Sequence, residues 1–367
     1  MILSVIFYLF VACTAVQIIY YLAFSSFLFG SKKNKTNTSE IPISVIIYTK
    51  NQAEKFLTFL PSILEQEYYK FEIVLINNAS SDNTSVLLES YAKKHAHIKV
   101  INVENNEAFW GSKKYALTLG IKTAQYPNLL FTDTNCTLVS KHWISEMSKK
   151  FTTNKTIILG YKKYQKENSL SNIFIRYENL LKAIKCFGFT KLGSPFMAFG
   201  NNFGYQKSEF FKVKGFINHM KTNAGEADLF IKDAANKENT TFCISEKSFI
   251  KTAIPTSFSK WFAANKEEIV ITKKYKFKHR FLLKFFTFSK ILFYVLATVL
   301  FFVYPYQIIL PIVLTYFLLQ YIIIGISAKK LKEPQIIFFL PFLEIGLLLI
   351  QISIFSANLI SKPNHWK

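Results

Sequence analysis

Residues 2–29 form one apolar run in which no side chain between Ile2 and Phe29 is charged. That run is longer than the roughly 20 residues that carry a helix across a bilayer, and it is read as a span. A cleaved signal peptide is the rival reading. It is disfavoured because no basic residue precedes the run and no clear small-x-small site follows it. The cluster Ser31-Lys32-Lys33-Asn34-Lys35 comes directly after, which by positive-inside bias places the N-terminus outside and the next domain in the cytoplasm. The far end of the chain repeats the pattern, with spans expected at residues 285–303, 307–328 and 336–359. Tyr304-Pro305-Tyr306 would be an outer turn, Lys329-Lys330-Leu331-Lys332 an inner loop, and the C-terminus would return to the outside. Lys284 and Lys290 are expected to snorkel to the headgroups from an interfacial segment. Glu344, inside the last expected span, is read as a polar group facing neighbouring helices rather than as a functional acid.

Half of the 367 residues are hydrophobic and 17% are aromatic, which suits membrane helices plus one globular unit better than a single soluble domain. The expected division is a span over 1–30, a cytoplasmic globular domain over 31–272 and a three-helix membrane region over 273–367. Lys and Arg number 45 against 23 acidic residues, and the only arginines are Arg176 and Arg280. So basic a chain raises a nucleic-acid reading. It ranks last, because much of the lysine flanks apolar spans and no recognition helix, stacking platform or RNA motif is present. No nucleic-acid partner is therefore expected. Cys13, Cys136, Cys186 and Cys243 are isolated, so neither a zinc site nor a disulfide framework is indicated.

From Ile43 short strands alternate with amphipathic helices, the pattern of an α/β sheet with helices on both faces. Strands are expected at residues 43–48, 71–76, 98–103 and 128–131, with helices at 52–65, 86–94, 113–124 and 138–151. Right-handed crossovers gather the turns after parallel strands at one edge of the sheet. Ligands of open α/β sheets lie in that crevice, so a strand running out through Phe131-Thr132-Asp133-Thr134-Asn135 offers the Asp133 carboxylate to it. The other reading of Asp133 is a cap for the helix expected at 138–151.

Four stretches in this order, I-S-V-I-I-Y-T-K-N-Q-A-E, F-E-I-V-L-I-N-N-A-S-S-D-N-T, S-K-K-Y-A-L-T-L-G-I and L-L-F-T-D-T-N-C, resemble glycosyltransferase family 2. These are inverting enzymes of GT-A fold, a Rossmann-like mixed sheet. The likeness continues through F-G-N-N-F-G-Y-Q-K at Phe199–Lys207, similar to the family's G-x-N-x-A-Y-R-K, and G-E-A-D-L at Gly225–Leu229, similar to its E-D-x-D-L. The resemblance implies a nucleotide-sugar donor, a glycan or lipid-linked acceptor, membrane lipids as partners, and Mg²⁺ or Mn²⁺ as cofactor.

It also implies roles for particular residues. Thr49, Asn51, Asn78 and Lys113 would meet the donor's base and ribose, with Lys113 read equally as phosphate-facing or as a solvated lysine at a helix start. Asp133 and Asn135, where the family has D-x-D, would hold the metal and diphosphate, and Gly200, Asn201 and Asn202 would meet the acceptor. Glu226 stands at the position of the family's general base, with Asp228 the runner-up; a first-turn acid favoured by the helix dipole is the plainer reading of both. The chain departs from the family at Asn78, Asn135 and Glu226, and the family's last motif, Q-x-x-R-W, has no counterpart after Trp261. Two functions stay open: a membrane-bound transferase at the cytoplasmic face, and a non-catalytic member that binds nucleotide or partners.

Overall fold

The structure is a computed structural model that describes residues 1–29, 40–104, 113–222, 224–255 and 257–360. The basic cluster expected at 31–35 lies outside the described residues. Two compact units emerge: Met1–Ser31 with Ser169–Leu192 and Ser257–Lys367, and Lys32–Asn168 with Gly193–Thr256. The expected limits at 30 and 272 differ from this division, since residues 169–192 and 257–272 group with the apolar helices.

After α1 (Ile2–Ser25), the globular unit opens with three βα repeats: β1 (Ile43–Thr49), α2 (Ala53–Leu64), β2 (Phe71–Asn78), α3 (Thr84–Lys94), β3 (Ile98–Val103) and α4 (Lys113–Thr123). There follow β4 (Asn128–Asp133), β5 (Cys136–Leu138), α5 (Trp143–Ser148), β6 (Ile157–Leu159) and β7 (Lys162–Tyr164). α6 (Leu170–Lys191) belongs to the other unit. The globular unit resumes with β8 (Phe203–Gln206), α7 (Lys207–Lys212), α8 (Glu226–Ala234), β9 (Thr240–Phe242) and β10 (Ile250–Thr252).

Seven strands build the main sheet in the order β3-β2-β1-β4-β8-β6-β9. β1, β2 and β4 are buried along almost their whole length, as continuous apolar strands with covered faces must be. β1 pairs in parallel with both β2 and β4, whereas β4 pairs antiparallel with β8. The chain thus steps outward from β1 to β3 and then returns to the other side of β1. That reversal opens a crevice beyond the carboxyl ends of β1 and β4, where Tyr48 and Asp133 are register partners.

The helix expected at 138–151 is shorter and starts later. Residues 136–138 form β5, because Leu138 and Cys136 pair with Ile250 and Thr252 of the distant β10. The helix begins only at Trp143, after Ser140 Oγ accepts from the His142 backbone N–H (3.2 Å). Asp133 therefore caps no helix. Its Oδ1 instead closes a tight turn by accepting from the Asn135 backbone N–H (3.0 Å).

The second unit combines α1 and α6 with α9 (Phe258–Thr272), α10 (Phe277–Val303), α11 (Tyr306–Lys330) and α12 (Leu340–Ile360). Four helical segments, Ile2–Leu28, Phe277–Val303, Tyr306–Lys330 and Pro334–Ala357, are long and apolar enough to cross a membrane. Gly188 lets α6 approach α1 closely, since a Cβ there would stand 2.7 Å from the Phe24 carbonyl oxygen. Lys290 does not snorkel. It is buried and donates to the Glu344 carboxylate and, at 3.2 Å, to Tyr21 Oη. Tyr177 donates to the other Glu344 oxygen, so Glu344 faces neighbouring helices as its sequence context suggests. A second buried pair joins Arg176 of α6 to Glu333, with Nε to Oε2 at 2.8 Å. Trp261, beyond which the family's last motif has no counterpart, sits in α9 and donates to Glu178 Oε2 (2.7 Å).

Candidate active site

Strand alternation and one left-handed turn set the site. β4 ends at Asp133, which is half-buried, and β1 brings Tyr48 alongside it. Gly225 (φ +79°) turns the chain into α8 in a conformation that L side chains rarely adopt, so Glu226 becomes the helix's first residue. β8 follows the turn that holds Gly200 and Asn201. Together these elements enclose a cleft of about 250 Å³ whose polar lining includes Tyr48, Lys113, Asp133, Lys162, Asn201 and Glu226.

Within the cleft the charges alternate. Lys113 Nζ lies 5.2 Å from the centre of the Tyr48 ring and 3.9 Å from Glu226 Oε2. Lys114 Nζ lies 3.3 Å from Glu226 Oε1 and donates to the carbonyl oxygens of Thr222 and, at 3.2 Å, Ala224. Burial pushes the Tyr48 hydroxyl above its ordinary pKa, so it stays a donor at neutral pH; its oxygen accepts from Asn78 Nδ2 (3.0 Å). Burial, aided by the neighbouring Asp133 charge, pushes the Cys136 thiol up to about 12. Cys136 is thus an inert acceptor for Asn201 Nδ2 (3.1 Å) and no nucleophile.

The structure gathers Lys113, Asp133, Gly200, Asn201 and Glu226 around one space, and it gives other expected residues different work. Asn202 is a correction: fully buried, it accepts from Trp143 Nε1 (3.0 Å) and donates to Tyr161 O (2.8 Å) and Ser248 O (2.9 Å), so its side chain cannot meet an acceptor. Asn135 is another. Its Oδ1 accepts from Lys55 Nζ (2.6 Å) and its Nδ2 donates to Asp133 (3.0 Å). Flipping the amide would set oxygen against carboxylate and NH₂ against ammonium, so these partners fix the amide with its oxygen toward Lys55 and its nitrogen toward Asp133. Asp228 Oδ1 accepts from the Ala198 backbone N–H (3.1 Å), tying α8 to the segment before the cleft. Asn51, in a left-handed turn (φ +53°), binds the Ser81 backbone N–H (2.7 Å) and joins the turns after β1 and β2. Thr49 and Asn78 are buried at those same strand ends, outside the cleft lining.

Tyr48, Lys114 and Lys162 escaped the sequence reading. Lys114 left a trace, since it stands three residues before Leu117 and seven before Ile121 on the buried stripe of α4. Among the described residues no group of three or more His, Cys, Asp or Glu side chains could hold a metal by itself. Mg²⁺ and Mn²⁺ do not need one: they take one or two carboxylates and complete their shell with phosphate oxygens and water. Asp133 Oδ2 has no protein partner among the described residues, so the donor set fits such an ion with a diphosphate present.

Residues 44–223 match the family model "Glycosyl transferase family 2". Residues of the chain are 32% identical over 124 positions to the poly-beta-1,6-N-acetyl-D-glucosamine synthase of Staphylococcus epidermidis, covering 31% of this chain and 29% of that protein. They are 30% identical over 100 positions to glycosyltransferase YibD of Escherichia coli K12, covering 27% and 26% respectively. The matched stretch thus spans less than a third of either relative. The fold is similar to that of the mannosyltransferase PcManGT from Pyrobaculum calidifontis, solved with GDP-Man and Mn²⁺, at a TM-score of 0.59 and 13% identity over 92% of this chain and 97% of that one. Motif order, family match and strand order agree: residues 44–223 carry a glycosyltransferase family 2 domain, and the fold is GT-A.

Proposed function

We propose that this protein is a membrane-bound inverting glycosyltransferase that moves a sugar from a nucleotide-sugar donor to a glycan or lipid-linked acceptor at the cytoplasmic face of the plasma membrane. The observation that carries the reading is the meeting, in one cleft at the strand-order reversal, of Asp133 from β4 and Glu226 from α8. Sugar transfer needs one group to offset charge on the departing diphosphate and another to take the proton of the attacking hydroxyl. Lys113 and Lys162 line the cleft and supply positive charge for the first task, and Glu226 supplies a carboxylate for the second. Mg²⁺ or Mn²⁺, held by Asp133 together with the diphosphate, would supply further charge neutralisation. Gly200 keeps the wall shallow beside Ala227, where an acceptor can approach.

The membrane assignment rests on the four long apolar helices and on the Lys329-Lys330-Leu331-Lys332 cluster at the end of α11. Lipid as a partner is supported by the start of α10. There Phe277, Phe281, Phe285 and Phe288 flank Arg280 and Lys284 around a groove of about 280 Å³, apolar surface beside cationic heads. Relatives named as polysaccharide synthases support a glycan of the cell envelope as the acceptor class.

A non-catalytic nucleotide binder is the second reading, favoured by the engagement of Asn135 with Lys55 and of Asn78 with Tyr48. Binding of a panel of nucleotide sugars to the purified full chain, with and without Mn²⁺, separates the two. The enzyme reading expects metal-dependent binding that Asp133→Ala abolishes; weak binding unchanged by metal and by the substitution would sink it.

A further inference from the structure

Glutamate reaches further than aspartate and has one more rotatable bond, so a general base built on Glu226 needs something to hold its carboxylate still. The structure supplies two ammonium groups from consecutive residues at the start of α4, and they differ in kind. The Lys114 side chain is 2% exposed and grips one carboxylate oxygen, while its remaining donors anchor the carbonyls of Thr222 and Ala224 on the approach to α8. The Lys113 side chain is 41% exposed, stands 3.9 Å from the other oxygen, and lies over the Tyr48 ring within the cleft.

We infer that Lys114 is the positioning residue of Glu226, a fixed clamp on one carboxylate oxygen, and that Lys113 is an exchangeable partner which a donor diphosphate draws away from the other. The inference rests on the reading of the cleft as a transferase site. A buried ammonium with a carboxylate and two carbonyls as partners has no solvent to move into, so it holds its geometry. A half-exposed lysine at 3.9 Å is loosely held, and a diphosphate carrying two negative charges outcompetes a single carboxylate for it. Donor entry then leaves one oxygen of Glu226 facing the cleft without its cation while the other stays clamped. Binding the donor thereby prepares the group that deprotonates the acceptor, and an empty site keeps that group neutralised. No bond to carbon is involved; the exchange moves only an ammonium from one anion to another.

The test compares Lys114→Met, Lys114→Arg and Lys113→Met in the purified full chain, reading donor affinity, kcat, KM and thermal midpoint. Lys114→Met is expected to keep donor affinity within about twofold while kcat falls on the order of a hundredfold, the scale of an ångström's misplacement. Lys114→Arg should restore part of that kcat, and Lys113→Met should weaken donor binding at least tenfold. A Lys114→Met protein that melts with the wild type and keeps its kcat, or that loses donor affinity instead, overturns the inference. If Lys114→Met fails to fold, Lys114→Arg carries the test: a folded arginine variant whose donor affinity drops with kcat unchanged overturns it equally. A wild type that neither binds nor turns over any donor overturns the transferase reading itself, and the inference with it.

Discussion

Two lysine–glutamate pairs in this protein share their chemistry and differ in everything around it. In the globular unit the Glu226 side chain is 15% exposed and opens on a cleft; in the helical unit the Glu344 side chain is 1% exposed and enclosed by Lys290, Tyr21 and Tyr177. A pair beside solvent can exchange partners, which is what a reaction requires. A pair among apolar helices can only stay closed, because either ion left alone there bears the full cost of desolvation. The second pair therefore fixes which helix faces which, and the first is available for chemistry.

Removing one member of each pair gives the widest contrast. Glu344→Ala strands the Lys290 ammonium among apolar side chains and should cost roughly 3–5 kcal/mol, read as a large drop in the thermal midpoint in detergent. The double change Lys290→Met with Glu344→Met should recover most of that loss. A single variant as stable as the wild type would show that the pair specifies nothing. Asp133→Ala comes next, with turnover expected to fall at least a hundredfold, about 2.7 kcal/mol in barrier, at nearly unchanged melting temperature.

Asn202→Ala sharpens the division between structure and chemistry. Three buried hydrogen bonds are lost or orphaned, so stability should fall by about 1–3 kcal/mol while KM for the acceptor, measured on folded protein, stays put. A raised acceptor KM would return Asn202 to the binding surface. Asn135→Ala should have the smallest effect, under about 1 kcal/mol in stability and little in the Mn²⁺ concentration needed for donor binding, because its amide serves Lys55 and Asp133.

What the sequence made legible was whatever depended on nearby residues. The alternation of β1, β2 and β4 with α2, α3 and α4 could be read from apolar periodicity, and the order of polar strand ends carried the family resemblance. What it hid depended on distant partners. Leu138 was expected to open a helix and lies in a strand instead, because nothing nearby shows that β10, more than a hundred residues later, pairs with it. Lys290 looked like a snorkelling lysine until Glu344 stood opposite. Lys113 and Lys114 look alike in sequence; about 100° of helix rotation puts one at the cleft and the other in the core. Asn201 and Asn202 divide in the same way, one lining the cleft and one holding the Trp143 indole.

The central claim is that Glu226 and Asp133 serve one reaction in one cleft, and release of nucleoside diphosphate tests it most directly. With saturating donor, acceptor and Mn²⁺, the wild-type chain should release diphosphate continuously. Glu226→Gln should bind the same donor with the same affinity and release it at least a hundredfold more slowly, on the scale of a lost general base. Equal release by the two proteins would contradict the account.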